Sequence, residues 1–211
     1  GLRKQIPEQL EAFQAFVGNN PGVRFGLALH TELKTHDGHN LPGVIDLLGL
    51  AKLPNLKIRY PNQTLYKQGY EEADIAKLLA ASDVLLHNSA TEGYGMAIGE
   101  AQATGTPVIG TDMMSISELL EPSPELLTPP GPHFWVPNEP RTYYNIDRGA
   151  IVDRLQLVLD KGAEHWEKPL REWTVKTYDW TDVIVPKWLQ LFEACKLQVE
   201  TECRRTPPRN E

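Results

Sequence analysis

The stretch Thr91-Glu92-Gly93-Tyr94-Gly95-Met96-Ala97-Ile98-Gly99-Glu100-Ala101, followed by Thr104-Gly105-Thr106-Pro107-Val108-Ile109, decides the fold. It lies between two short apolar runs, 84–87 and 107–110, that read as strands, and its 96–104 segment has helical spacing. The glycines let the backbone turn tightly after the first run. The helix that begins near Met96 leaves its first amides without intrahelical partners, facing whatever lies beyond the strand end. A phosphate suits that geometry, and the helix dipole adds roughly 0.3–1 kcal/mol for an exposed anion. Glu92 falls in the loop and Glu100 more than a turn into the helix, so the two carboxylates can meet one ligand at different heights. Carboxylates repel phosphate but accept hydrogen bonds from sugar hydroxyls. Taken alone, two glutamates at this spacing are better explained as a helix cap and a solvated helix position; the surrounding residues decide the matter.

Outward from this stretch the same alternation repeats. Apolar runs at 23–30 and 56–60 read as strands, and helical spacing covers 6–17, 42–50 and 71–81. The pattern predicts an α/β fold, a doubly wound parallel sheet of Rossmann-like type with ligands collecting at the carboxyl ends of its strands. After Thr111 the chain changes character. Pro122, Pro124, Pro129, Pro130, Pro132, Pro137 and Pro140 exclude a long helix or a central strand there, and leave room for one short strand at 134–136. Helical spacing returns at 146–159, 164–177 and 181–197, and residues 201–211 read as a flexible tail. Residues 1–200 are therefore read as one domain. A helical pattern starts directly after Gly1-Leu2-Arg3-Lys4, whereas a doubly wound sheet opens on a strand, so a first strand is expected upstream of these residues.

Composition narrows the partners. The chain has 211 residues, 41% hydrophobic and 23% charged, as in an ordinary globular protein with a real core. A net charge of −7 argues against a nucleic-acid partner, which calls for a basic face, but a small anion needs only one or two cations and a few amides. Cys195 and Cys203 make no disulfide framework and fit a reducing compartment, the cytoplasm. No apolar run approaches the ~18 residues of a membrane span, so membrane contact is expected to be peripheral at most. His30, His36 and His39, with Asp37 among them, follow no standard metal spacing, and no metal site is predicted. Gly93, Gly95 and Gly99 do not form a dinucleotide fingerprint. Trp166, Trp173, Trp180 and Trp188 read as packing residues.

Glu-Gly-Tyr-Gly at 92–95, then Glu100-Ala101 and Ala103-Thr104-Gly105-Thr106-Pro107-Val108-Ile109, resembles the paired-glutamate region of the GT-B retaining glycosyltransferases, the family-four type (glycosyl transferases group 1) that includes many mannosyl- and glucosyltransferases. The resemblance extends over most of the chain. Arg3-Lys4 looks like the basic pair that opens the donor-binding, C-terminal domain. Asp83-Val84-Leu85-Leu86 with Ser89 looks like the strand and serine before the first glutamate, and Thr111-Asp112 with Ser117-Glu118-Leu119 like the next loop and helix. Tyr178-Asp179-Trp180 resembles the closing segment.

The resemblance implies a retaining glycosyltransferase of hexosyltransferase type that binds a nucleoside diphosphate sugar, with no cofactor or metal. Residue by residue, it assigns Lys4 and Glu92 to catalysis, Lys4 neutralising the leaving diphosphate and Glu92 meeting the transferred sugar. Arg3, Gly93, Tyr94, Gly95, Met96 and Glu100 would bind the donor, Glu100 through its ribose. The residues Asn62, Gln63, Tyr66 and Tyr70 would approach the base. His87 could approach the donor sugar or serve structure alone. Two departures from the pattern stand out. The strand and phosphate-binding arginine before Arg3, together with the N-terminal acceptor domain, are expected to be missing partners of this half, and Asn88 replaces a common proline. The isolated chain is accordingly expected to be inactive. A nucleotide-sugar-binding module without turnover and a GT-B sugar-nucleotide epimerase remain alternatives, as does an interaction domain with no ligand.

Overall fold

A computed structural model of the chain describes residues 2–34, 38–137 and 142–205. Its elements, in chain order, are a single 3-10 turn at Leu2–Lys4, α1 (Ile6–Asn19), β1 (Phe25–Ala28), α2 (Leu41–Leu47), β2 (Leu56–Arg59), α3 (Gln63–Gln68), α4 (Glu72–Ala80) and β3 (Leu85–His87). They continue with α5 (Met96–Ala103), β4 (Val108–Thr111), α6 (Met114–Leu119), β5 (Leu127–Thr128), β6 (Pro130–Trp135), β7 (Thr142–Ile146), α7 (Arg148–Lys161), α8 (Glu164–Tyr178) and α9 (Val185–Arg205). The chain divides into two compact units, Gly1–Arg171 and Glu172–Glu211.

In the first unit β1 pairs parallel with β2, and β3, β4 and β5 form a second parallel ladder in that order. The expected continuous sheet is thus realised as separate parallel ladders, since β1 and β3 share no ladder hydrogen bonds among the described residues. All four residues of β4 are buried, with Val108 and Ile109 fully so, which explains why this run reads as unbroken apolar sequence. The helices lay their apolar stripes on these strands. Leu10, Phe13, Phe16 and Val17 of α1 are buried, and Phe25 of β1 meets the rings of Phe13 and Phe16 at centroid distances of 6.3 and 5.0 Å. Ile98 and Ala101 of α5 and Ile151, Leu155 and Val158 of α7 fill the rest of the core, each large side chain stabilising the fold by about 1.5–3 kcal/mol through burial.

The proline-rich crossing contains an antiparallel hairpin of β6 and β7 with an irregular register at its start. Proline lacks a donor, so Pro130 and Pro132 are tolerated because β6 has a single ladder partner. The expected strand at 134–136 is the end of β6. The sequence predicts no strand at 142–146, where β7 forms, and the helix expected from 146 starts later: Asp147 caps α7 by accepting from the Ala150 amide at 3.0 Å, and the helix runs to Lys161. Helix α2 is shorter than the 42–50 pattern because Gly49 turns left-handed (φ 64°) and starts a 3-10 turn at Leu50–Lys52.

The second unit holds the end of α8, a π-helical turn at Trp180–Ile184 and α9. Asp179 caps the π-turn by accepting from the Asp182 amide at 2.7 Å, and Trp188 stacks obliquely on Phe192. Helix α9 continues through residues 201–205, which the sequence suggested were tail; 206–211 lie outside the described residues. No helix among the described residues is long and apolar enough to cross a membrane. Thr35, His36, Asp37 and Pro140 also lie outside the described residues, and among those described no cluster of three or more His, Cys, Asp or Glu could hold a metal.

Candidate functional site

The loop between β3 and α5 follows the reading of the sequence closely. Helix α5 starts at Met96, and Gly95 before it adopts φ 92°, a left-handed turn that glycine takes without strain. A Cβ at Gly95 would sit 3.1 Å from Ile98 Cδ1 and 3.3 Å from Leu119 Cδ1, so the turn is also tightly packed. Tyr94 and Met96 are exposed around the helix start, and Glu92 lies buried beneath them at 9% exposure.

Glu92 gathers two cations from the amino-terminal segment. Lys4 donates its ammonium to Glu92 Oε2, and Arg3 donates Nη1 to Glu92 Oε1 at 3.1 Å and to the Thr91 carbonyl at 3.4 Å. His87, at the end of β3, places Nε2 3.2 Å from Lys4 Nζ and 3.2 Å from Glu92 Oε2. That nitrogen can accept from the ammonium or donate to the carboxylate, one at a time. Two cations, one carboxylate and a neutral imidazole leave the cluster with a charge of about +1, suited to an anion.

The electrostatics agree with the geometry. Burial would push the Glu92 carboxyl up, but the hydrogen bond and charge of Lys4, then those of Arg3, outweigh it and hold the pKa at about 2. Burial first, and the Lys4 charge second, lower the His87 pKa to about 4 against the pull of Glu92, so the ring is neutral at pH 7.

Long-range hydrogen bonds hold the two sides together. The Arg3 carbonyl accepts from the Ala90 amide at 2.7 Å, and Gln9 Nε2 donates to the carbonyls of Lys4 (2.6 Å) and Asn88 (2.9 Å). Behind them the buried Asn88 amide lies 3.2 Å from Thr111 Oγ1 and 2.9 Å from Thr128 Oγ1, tying the end of β3 to β4 and β5. That tie gives Asn88 a packing role of its own at a position where the resembled family commonly has proline.

Of the candidate residues, the structure brings Arg3, Lys4 and Glu92 into direct contact, with Gly93, Tyr94, Gly95 and Met96 in the adjoining loop and helix start. It does not bring Glu100 to this cluster. Glu100 is exposed one helical turn beyond Met96, on the same face of α5. His87 was singled out only as ambiguous, and its simultaneous approach to Lys4 and Glu92 has no local sequence signature. The roles of Gln5 and Gln9 were missed altogether.

A second feature lies at the carboxyl ends of β1 and β2. A cavity of about 300 Å³ is lined there by Leu29, His30, Tyr60, Tyr70, Ile75 and Leu78, among others. His30 meets the rings of Tyr66 and Tyr70 edge-on at 5.2 and 5.3 Å, and burial lowers its pKa. Asn62 and Gln63 serve the loops: Asn62 caps α3, and Gln63 accepts from the Leu33 amide at 2.9 Å.

Residues 49–137 match the model of the family described as glycosyl transferases group 1. No curated protein sequence matches the chain. Among solved structures, sucrose-phosphate synthase from Thermosynechococcus elongatus superposes with a TM-score of 0.62 at 21% identity over 92% of this chain and 44% of that one. A TarM variant from S. aureus, in complex with fondaparinux, alpha-GlcNAc-glycerol and UDP, gives 0.61 at 22% identity over 90% of this chain and 33% of that one. The chain thus spans less than half the length of either. The stretch similar to glycosyl transferases group 1 runs from before β2 to beyond β6 and includes both motif glutamates, and the chain as a whole has the Rossmann-like α/β fold of these GT-B neighbours.

Proposed function

We propose that the Arg3–Lys4–Glu92 cluster, with the start of α5 above it, is the donor site for a nucleoside diphosphate sugar, and that the whole protein transfers the sugar to an acceptor with retention of configuration. The observation that carries this reading is the convergence of two cations on one buried carboxylate, in the loop that leads into the exposed start of α5. Cleavage of the bond to the nucleotide builds negative charge on the departing phosphate, which Lys4 and the first amides of α5 would stabilise. Glu92 meets sugar hydroxyls, and Glu100, farther along the exposed face of α5, meets the ribose. The cavity beside Tyr60 and Tyr70 receives the base. The sugar departs through an oxocarbenium-like state while the acceptor attacks the same face, helped by the leaving phosphate; the scheme calls for no metal. An acceptor-binding domain on the amino-terminal side completes the site, and the free, exposed Cys195 fits a reducing cytoplasm.

Calorimetric titration of the chain with UDP, GDP and ADP tests the donor site. One of them should bind with a Kd between about 1 mM and 1 μM, and Lys4→Ala should weaken that binding at least about fivefold, the loss of one charge-assisted hydrogen bond. Absence of saturable binding by all three would remove the donor-site reading. Incubating the whole protein with labelled nucleotide sugar separates transferase from epimerase and hydrolase by product.

A further inference from the structure

We propose that Gln5 is a positioning residue whose side-chain amide, clamped on the backbone of β7, holds the left-handed turn that aims Lys4 at Glu92. The functional part of this proposal rests on the donor-site reading; the structural part does not. Between the 3-10 turn at Leu2–Lys4 and the start of α1 at Ile6, one residue must redirect the chain. That residue adopts φ 45° and ψ 43°, a conformation that glycine takes freely and an unbranched L-residue takes at a cost. Strain of this kind persists only where the surroundings over-determine it.

Here they do. Gln5 is buried at 4% exposure, and its amide pairs with β7 as a further strand would. Oε1 accepts from the Ile146 amide at 3.0 Å, and Nε2 donates to the Tyr144 carbonyl at 2.7 Å. The Gln5 carbonyl accepts from the Gln9 amide and so begins α1. The amide of Tyr144, in turn, donates to the Ala90 carbonyl at 2.9 Å, while the Ala90 amide donates to the Arg3 carbonyl. A closed circuit therefore runs from Gln5 through β7 to the loop carrying Glu92 and back to the residue before Lys4. Lys4 sits inside that circuit, next to the one strained residue in it. Without the amide, the turn loses its side-chain tie to β7, and the Lys4 side chain loses its aim at the carboxylate although its carbonyl still accepts from Gln9 Nε2.

Two variants of the full 211-residue chain separate this role from a contribution to folding. Gln5→Ala removes the clamp and keeps the strain; Gln5→Gly removes both, and is expected to retain the wild-type thermal midpoint more nearly. The readout is the ionisation of Glu92, followed by carboxyl carbon NMR. At pH 4 the wild-type carboxyl should be ionised, whereas both variants should show it protonated to roughly two-thirds, as for an ordinary glutamate. UDP or GDP, whichever the wild type binds, should bind Gln5→Gly at least about fivefold more weakly. Should Gln5→Ala fail to fold, Gln5→Gly carries the test alone. If Glu92 stays fully ionised at pH 4 in a folded variant, the positioning role is wrong, whatever happens to stability. If the wild type binds no nucleotide while Glu92 titrates upward in the variants, the donor-site reading falls and the role of Gln5 stands.

Discussion

His87 and Glu92 make the site sensitive to acid in a calculable way. The unfolded chain takes up a proton on His87 near pH 6.5, which the folded chain refuses until about pH 4. Stability therefore falls as the pH drops through that window, by up to about 3 kcal/mol, and this contribution then levels off. Glu92 acts lower down: its stabilisation is fully present above its ordinary pKa of 4.5 and is lost as the pH falls toward about 2. Replacing His87 by glutamine, a neutral side chain that can still accept from Lys4, should flatten the stability slope between pH 4 and 6.5. Urea unfolding at a series of pH values checks this, and slopes equal to the wild type's would show that His87 is not the titrating group. The convergence on Glu92 could not be read from sequence, because Lys4 and Glu92 lie 88 residues apart and are held together by the side-chain amides of Gln5 and Gln9 and the backbone of Ala90. The motif residues themselves were legible, since a loop glutamate, a glycine turn and a helix start are local events.

At the scale of elements, strands were legible as short apolar runs, whether buried throughout like β4 or alternately like β2. The runs at 56–60, 84–87 and 107–110 locate β2, β3 and β4 to within a residue or so. Helix α3 escaped because Gln63–Gln68 has no buried face and therefore no apolar stripe to detect. Strand β7 escaped because its pairing partner is a proline-bearing strand, so the hairpin lacks the usual alternation. The junction of β3 with α5 depends on Gly95. Gly95→Ala forces φ 92° on a residue with a Cβ that already meets Ile98 and Leu119, and should cost about 1–3 kcal/mol. Thermal unfolding should show the loss, and an unchanged midpoint would mean that the loop has another conformation open to it.

For the whole molecule, a net charge of −7 disfavours polyanions, while Arg3, Lys4 and Glu92 together carry about one net positive charge suited to a small anion. The chain spans 44% and 33% of the two solved structures it resembles, and sugar transfer needs the acceptor held against the donor. The 211-residue chain alone should bind nucleotide without transferring sugar, and transfer should appear when the acceptor-binding half is present in the same protein. A radiolabelled-donor assay distinguishes these, and robust transfer by the chain alone would contradict the expected division. The central claim is tested most directly by calorimetry on Glu100→Ala and Glu92→Gln with bare nucleoside diphosphate and with nucleotide sugar. Glu100→Ala should weaken both ligands by about 1–3 kcal/mol, the loss of charge-assisted bonds to ribose. Glu92→Gln should weaken only the nucleotide sugar, leaving the bare nucleotide nearly as tight because the amide oxygen can still accept from Lys4 and keep it in place. Two variants that bind both ligands as the wild type does, with folding intact by circular dichroism, would contradict the claim and return Glu92 to an internal ion pair and Glu100 to a solvated helix position.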